Sequence, residues 1–126
     1  LLLDTHVLLW AAGEPDRLPE PTRTLLEEAS SELWFSAASI WEVAIKASLG
    51  RADFIADARL LRRGLLDNGW SELPITSEHA AAVTSLPDLH RDPFDRILIA
   101  QAAVEGITLL TADEMVILYP GPIRPV

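Results

Sequence analysis

The chain has 126 residues, 49% of them hydrophobic and 23% charged, enough apolar material to close one core, so intrinsic disorder is excluded. Nineteen acidic against ten basic residues give a net charge of −9, which argues against a nucleic-acid-coating protein, and the lack of cysteine excludes disulfides, thiolate metal sites and a cysteine nucleophile. The longest nearly unbroken apolar stretch, Ile97 to Val104, is interrupted by Gln101 and falls short of the roughly 20 residues of a membrane helix, so no span is expected. The length suits one domain over residues 1–126, and the lack of cysteine fits a reducing compartment, with the cytoplasm as the expectation.

The opening Leu1-Leu2-Leu3-Asp4 has neither an initiator Met nor a basic leader, so the chain is expected to start inside folded structure. Leu1 to Leu3 reads as a strand covered on both faces, Asp4 ends it, and an amphipathic helix runs to Ala12 before Gly13. Pro15, Pro19 and Pro21 break the next stretch, after which Thr22 can cap a helix through Leu25, Leu26 and Ala29. Leu33-Trp34-Phe35 reads as a second strand. Ser39 and Glu42 have the spacing of a capping box at the head of a helix that buries Ile40, Val43 and Ala47 and closes at Gly50. Asp53 can cap a further helix with Phe54, Ala58, Leu61 and Leu65 on one stripe and Arg59, Arg62 and Arg63 outside it, closed by Asn68-Gly69. Leu73-Pro74-Ile75 is a weak strand placed near a sheet edge by its proline, and Ser77 can start a helix ending before Pro87.

Asp92-Pro93-Phe94-Asp95 is the clearest helix start, with a capping acid, proline at the first helical position and an apolar face through Phe94, Ile97, Leu98, Gln101 and Val104 up to Gly106. Ile107 to Leu110 is another buried strand, followed by Thr111, Asp113 and a short helical or irregular tail rich in proline. Strands alternating with helices predict an α/β fold with a mainly parallel central sheet and helices on both faces.

Asp4, Glu42, Asp95 and Asp113 all fall at or just after a strand-to-helix transition or early in a helix. Taken singly, each is explained by capping, and Glu42 also stands four residues before Lys46 in the favourable order for a helical ion pair. Taken together, they have a geometric consequence. Parallel strands leave a sheet at one common edge, so helix starts that follow strands collect there. Four carboxylates gathered at a partly buried edge repel one another, and a divalent cation is the most economical relief. Mg²⁺ or Mn²⁺ prefers such hard oxygen donors, and a centre of this kind acts on phosphate esters. His6, His79 and His90 lack the spacing of a helical zinc pair and read as structural or surface residues. No nucleophile elbow, phosphate-binding loop or dinucleotide fingerprint occurs.

Four fragments carry a family resemblance: Leu2-Leu3-Asp4-Thr5-His6-Val7-Leu8-Leu9-Trp10, Ser39-Ile40-Trp41-Glu42-Val43-Ala44-Ile45-Lys46, Asp92-Pro93-Phe94-Asp95-Arg96-Ile97-Leu98-Ile99-Ala100-Gln101-Ala102, and Leu110-Thr111-Ala112-Asp113. In order and spacing the chain resembles the PIN-domain ribonucleases, and among them the VapC-type toxins of bacterial toxin-antitoxin pairs. The resemblance implies a three-layer PIN fold and an Mg²⁺- or Mn²⁺-dependent endoribonuclease with Asp4, Glu42, Asp95 and Asp113 in its acidic cluster. Asp4 and Asp95 are then expected to contact the metal most directly, and hydrolysis by a metal-activated water leaves 5′-phosphate and 3′-hydroxyl ends. It also implies a cognate VapB-type antitoxin and a homodimer. The sequence departs from the usual pattern after Asp113, where Glu114-Met115-Val116-Ile117 stands in place of an aromatic residue.

Around those acids, Thr111 and Ser39 can hydrogen-bond carboxylates or water, with N-capping the simpler role for Ser39. Arg96 and Lys46 can hold a phosphate or form surface ion pairs, and Asp92 reads first as a cap. The four tryptophans read individually as core residues, with an interface as the alternative. Two other function classes stay open: a noncatalytic interaction module of the same fold, and a different metal-dependent phosphate-ester hydrolase.

Overall fold

The computed structural model describes residues 1–29, 32–52, 54 and 56–126. Its elements in chain order are β1 (Leu2–Leu3), α1 (Thr5–Gly13), α2 (Glu20–Glu28), β2 (Trp34–Ser36), α3 (Ala37–Ser48), α4 (Ala58–Asp67), β3 (Ser71–Leu73), α5 (Ser77–Ala82), α6 (Pro93–Glu105), β4 (Leu109–Thr111), α7 (Glu114–Ile117) and β5 (Ile123–Pro125). The five strands form one sheet in the order β3-β2-β1-β4-β5, parallel throughout.

Alternation along these short strands divides the core in two. Leu2 and Leu109, paired across β1 and β4, point into one cluster with Leu98, Ile99 and Ala102 of α6 and Val116 of α7. Leu3 and Leu110, one residue on, point into the other with Val7 and Leu8 of α1, Leu26 of α2 and Leu65 of α4. The result is the expected sandwich of helix, sheet and helix. Helix α3 contacts α1, α4 and α6 and so links the two helical layers. No helix of the described residues is long and apolar enough to cross a membrane.

Several boundaries differ from the sequence reading, each for a local reason. Helix α2 starts after Pro19, leaving Thr22 inside it and buried, because Pro21 in a first turn has no missing hydrogen bond to suffer from. Helix α3 is capped by Ser36, whose Oγ accepts from Ala38 N at 3.0 Å, so Ser39 and Glu42 lie in the helix proper and form no capping box. Its end matches, with Gly50 in the left-handed region at φ +74°. Asp53 lies outside the described residues; the cap of α4 is Asp57, which accepts from the backbone N–H groups of Arg59 and Leu60, and Phe54 precedes the helix while staying buried. Strand β3 is at an edge, as its proline predicted, but covers Ser71–Leu73; the Pro74 carbonyl lies just beyond it and accepts from Gln101 Nε2 at 3.3 Å. The proline-rich tail contains a further edge strand, β5, that the sequence reading missed; an edge is where a sheet tolerates Pro125.

Helix α6 keeps its predicted start at Asp92 and its stop at Gly106, which is left-handed at φ +67°. Its buried residues are the consecutive run Leu98 to Ala102 rather than a single stripe, because α3 and α5 pack against it besides the sheet. The tryptophans are not core residues in the full sense. Trp41 is 59% exposed, and Trp10, Trp34 and Trp70 are half-buried at the margins of the two clusters.

Candidate metal centre

The carboxyl ends of β1 and β4 meet at the middle of the sheet, and their pairing places the first acid. Asp4 N donates to Leu110 O at 2.9 Å, which continues the ladder by one residue and sets the Asp4 side chain beside Thr111. Asp4 then caps α1, Oδ1 accepting from Val7 N at 2.9 Å, while Oδ2 accepts from the Thr111 hydroxyl. Asp4 is 5% exposed, and this burial holds its carboxyl above the usual range even though both hydrogen bonds act in the opposite direction.

Thr111 serves a second acid. Its Oγ1 accepts from Asp113 N at 3.0 Å, and Asp113 caps α7 through Oδ1, which accepts from Met115 N at 2.8 Å and Val116 N at 3.3 Å. One hydroxyl therefore fixes the spacing between Asp4 and Asp113. Glu42 comes from the adjoining α3 and is 3% exposed. Its Oε1 accepts from Thr5 Oγ1 at 2.5 Å, with Ser39 Oγ 3.0 Å from the same hydroxyl, and its Oε2 lies 2.5 Å from Lys46 Nζ. Lys46 Nζ is also 3.8 Å from Asp92 Oδ2, so it bridges α3 to the cap of α6.

Asp95, in the first turn of α6, is raised like Asp4. Burial, then the neighbouring charges of Asp92, Glu42, Asp113 and Asp4, push its carboxyl up to about 7. Its Oδ2 lies 2.8 Å from His90 Nε2, which is also 3.6 Å from Asp113 Oδ2.

All four predicted acids thus line one cavity of about 440 Å³, together with Asp92, His90 and Lys46. His6 and Arg51 also line it, His6 lying edge-on to Phe54 at 5.1 Å between ring centroids. Among the described residues, His90, Asp95 and Asp113 offer ligand atoms that all lie within 4.8 Å of one another. Hard oxygen donors in excess over the lining cations are a donor set suited to a divalent ion, and the acidic group here can hold one.

Some side chains depart from their expected roles. His90, read as structural or surface, faces the carboxylates, a placement that no helical spacing signals because it comes from a loop. Arg96 does not hold the cavity; it donates to the carbonyls of Val83, Pro87 and His90 and to Tyr119 Oη, fastening that loop to α6. Thr5 was not singled out, although it directly follows Asp4. Lys46 forms the predicted ion pair with Glu42, Thr111 the predicted carboxylate hydrogen bond, and Asp92 the predicted cap, accepting from Phe94 N at 2.9 Å. His79 is structural as expected: it is buried, its Nδ1 accepts from Thr76 N at 3.0 Å, and its Nε2 lies 2.8 Å from Glu105. Arg59, Arg62 and Arg63 form a solvated face, with Arg62 Nε 3.3 Å from Glu72.

Comparison with known proteins bears on the family and the fold. The family model described as "PIN domain" matches residues 1–120. Ribonuclease VapC22 of Mycobacterium tuberculosis is 32% identical over 127 aligned residues, covering 100% of this chain and 95% of the relative. Two solved structures share the fold at a TM-score of 0.71, each covering 98% of this chain and 96% of its own. One is VapBC2 from Rickettsia felis bound to a promoter DNA fragment, at 14% identity, and the other DNA-bound VapBC from Salmonella typhimurium, at 16%.

Proposed function

The chain belongs to the PIN-domain family, and on that premise we propose that it is a divalent-metal-dependent endoribonuclease, the toxin of a VapBC-type toxin-antitoxin pair. It acts as a single domain over residues 1–126, in the cytoplasm, where RNA and a cognate antitoxin meet it. The observation that carries this reading is the convergence of Asp4, Glu42, Asp95 and Asp113, from four separate segments, on one cavity, where burial and then the neighbouring acids raise the Asp95 carboxyl to about 7.

Asp4, Glu42, Asp95 and Asp113 would hold the ion, Mg²⁺ or Mn²⁺, some of them through water. When bound, it supplies Lewis acidity to lower the pKa of an attacking water and to offset charge developing on the scissile phosphate. The protein's own groups prepare that chemistry. Thr111 keeps the Asp4 and Asp113 carboxylates at fixed separation, and Thr5 and Lys46 clamp both oxygens of Glu42. Lys46 also limits the repulsion between Glu42 and Asp92, so the acids stay together before any cation arrives. Displacement at phosphorus by water in line with the leaving 3′-oxygen gives 5′-phosphate and 3′-hydroxyl ends without a covalent enzyme intermediate. An overall charge of −9 suits a basic antitoxin segment lying across this acidic mouth, and it makes RNA binding selective rather than general. The active toxin is a homodimer.

The test is incubation of purified wild type and Asp95→Asn with defined RNAs, with and without Mg²⁺ or Mn²⁺. Metal-dependent internal cleavage by the wild type alone is expected. Equal cleavage by both proteins refutes the assigned role of Asp95, and phosphomonoester turnover with RNA intact favours a different hydrolase.

A further inference from the structure

We infer that His90 is a nitrogen ligand to the divalent ion held by Asp95 and Asp113, and that this donor tilts the centre toward first-row transition ions over Mg²⁺. The inference rests on the metal-dependent reading above and adds to it a ligand and a selectivity.

Three features support it. First, His90 Nε2 lies 2.8 Å from Asp95 Oδ2 and 3.6 Å from Asp113 Oδ2, and these three side chains present ligand atoms that converge within 4.8 Å. Second, the ring is placed there by dedicated contacts. His90 N donates to Tyr119 Oη at 2.8 Å, and its carbonyl accepts from Arg96 Nη1 at 3.3 Å. The same Arg96 holds the Val83 and Pro87 carbonyls, so the whole approach to His90 is tied to α6, the helix that carries Asp95. Third, the neighbouring acids differ in how far their oxygens are already engaged. Glu42 has Thr5 on one oxygen and Lys46 on the other, whereas Asp113 directs Oδ1 to two backbone N–H groups and leaves Oδ2 toward His90.

With its proton on Nδ1, a neutral imidazole presents the Nε2 lone pair where the two carboxylates already point. Carboxylate and water ligands suit Mg²⁺ and Mn²⁺, whereas an imidazole donor raises affinity along the series from Mn²⁺ through Co²⁺ to Ni²⁺. The competing role is a hydrogen bond from Nε2–H that orients Asp95. Loss of an orienting hydrogen bond weakens every ion alike, but loss of a nitrogen ligand changes the ratio between ions.

The experiment measures Mg²⁺, Mn²⁺ and Co²⁺ binding by calorimetry for wild type and His90→Gln, which keeps a donor but is a poor ligand. Electron spin echo spectra of the Mn²⁺ complexes report any nitrogen bound to the ion. Expected are a nitrogen coupling in the wild type that His90→Gln abolishes, and a fall in the Co²⁺ over Mg²⁺ preference of at least about tenfold. Saturable binding without nitrogen coupling, or an unchanged preference, overturns the inference and leaves the metal-dependent nuclease intact. No saturable binding of any ion by the wild type overturns both. Where His90→Gln folds poorly, His6→Gln makes the assignment, because His6 lines the same cavity: a nitrogen coupling that survives its replacement belongs to His90, and one that disappears overturns the inference.

Discussion

Replacing Asp95 with asparagine is expected to make the metal-free protein more stable while abolishing its response to cations. The Asp95 carboxyl is raised from 3.8 to about 7, first by burial and then by the surrounding acids. Between those values the unfolded chain has released this proton and the folded chain retains it, so the folded state binds more protons and stability falls as pH rises from about 4 to about 7. A rise of roughly three units at about 1.4 kcal/mol each puts the full cost near 4 kcal/mol above pH 7. Asparagine carries no charge, and its amide oxygen still accepts from His90 when the imidazole proton is on Nε2. Urea unfolding in excess chelator at pH 8 is therefore expected to show Asp95→Asn more stable by up to about 4 kcal/mol. In a thermal melt this corresponds to roughly 15 °C for a domain of this size. The difference should shrink as pH falls toward 4, where the wild-type carboxyl is neutral in the folded state and becoming neutral in the unfolded one. Adding a divalent ion at 100 times its dissociation constant then stabilises the wild type by about 3 kcal/mol and leaves the variant unmoved. A variant less stable than wild type in chelator at pH 8, or one with the same pH slope, refutes the electrostatic account of this centre.

Asp4→Asn keeps an N-cap, because its amide oxygen can still accept from Val7 N, so far-UV circular dichroism and the unfolding midpoint should show a folded protein while RNA cleavage is lost. Extensive unfolding of that variant would make Asp4 a structural residue first. Thr111→Val preserves shape but removes both the donor to Asp4 and the acceptor for Asp113 N, so chemical denaturation should show a loss of about 1–3 kcal/mol together with weaker Mg²⁺ binding by calorimetry. Unchanged ion binding in that variant would show that Thr111 does not set the spacing of the acids.

The parts of the fold that were legible in the sequence are those where one short-range cause acts alone. Asp92-Pro93 starts a helix and Gly106 ends it, and the apolar pair Leu2-Leu3, cut off by Asp4, is too short for a helix and is a covered strand. Boundaries moved where two local causes competed. Ser36 and Ser39 both offer a hydroxyl near the head of α3; Ser36 ends a strand already paired with β3, so the cap falls there and Ser39 is carried inward to meet Thr5. Strand β5 was invisible because it has three prolines in or near it and owes its existence to β4, whose Leu109 N donates to Pro122 O at 2.8 Å.

The acids were legible for a reason that the histidine was not. Asp4, Asp95 and Asp113 sit at a strand end or in the first turn of a helix, and parallel topology carries such points to one edge of the sheet, so position in the local pattern implies position in space, while Glu42, set in the middle of α3 by the Ser36 cap, joins them through Thr5. His90 has no such anchor. Its place depends on Arg96, six residues on, reaching back to three carbonyls, and on Tyr119, beyond β4, meeting both the His90 backbone and that guanidinium. Neither contact follows from helical or strand periodicity, and an arginine directly after Pro-Phe-Asp reads as readily as a phosphate contact as a loop fastener. The same dependence means that Arg96 and Tyr119 act on the centre only through the loop. A change at either residue moves His90 relative to Asp95 while leaving the Asp4–Thr111–Asp113 linkage, built on β1 and β4, in place.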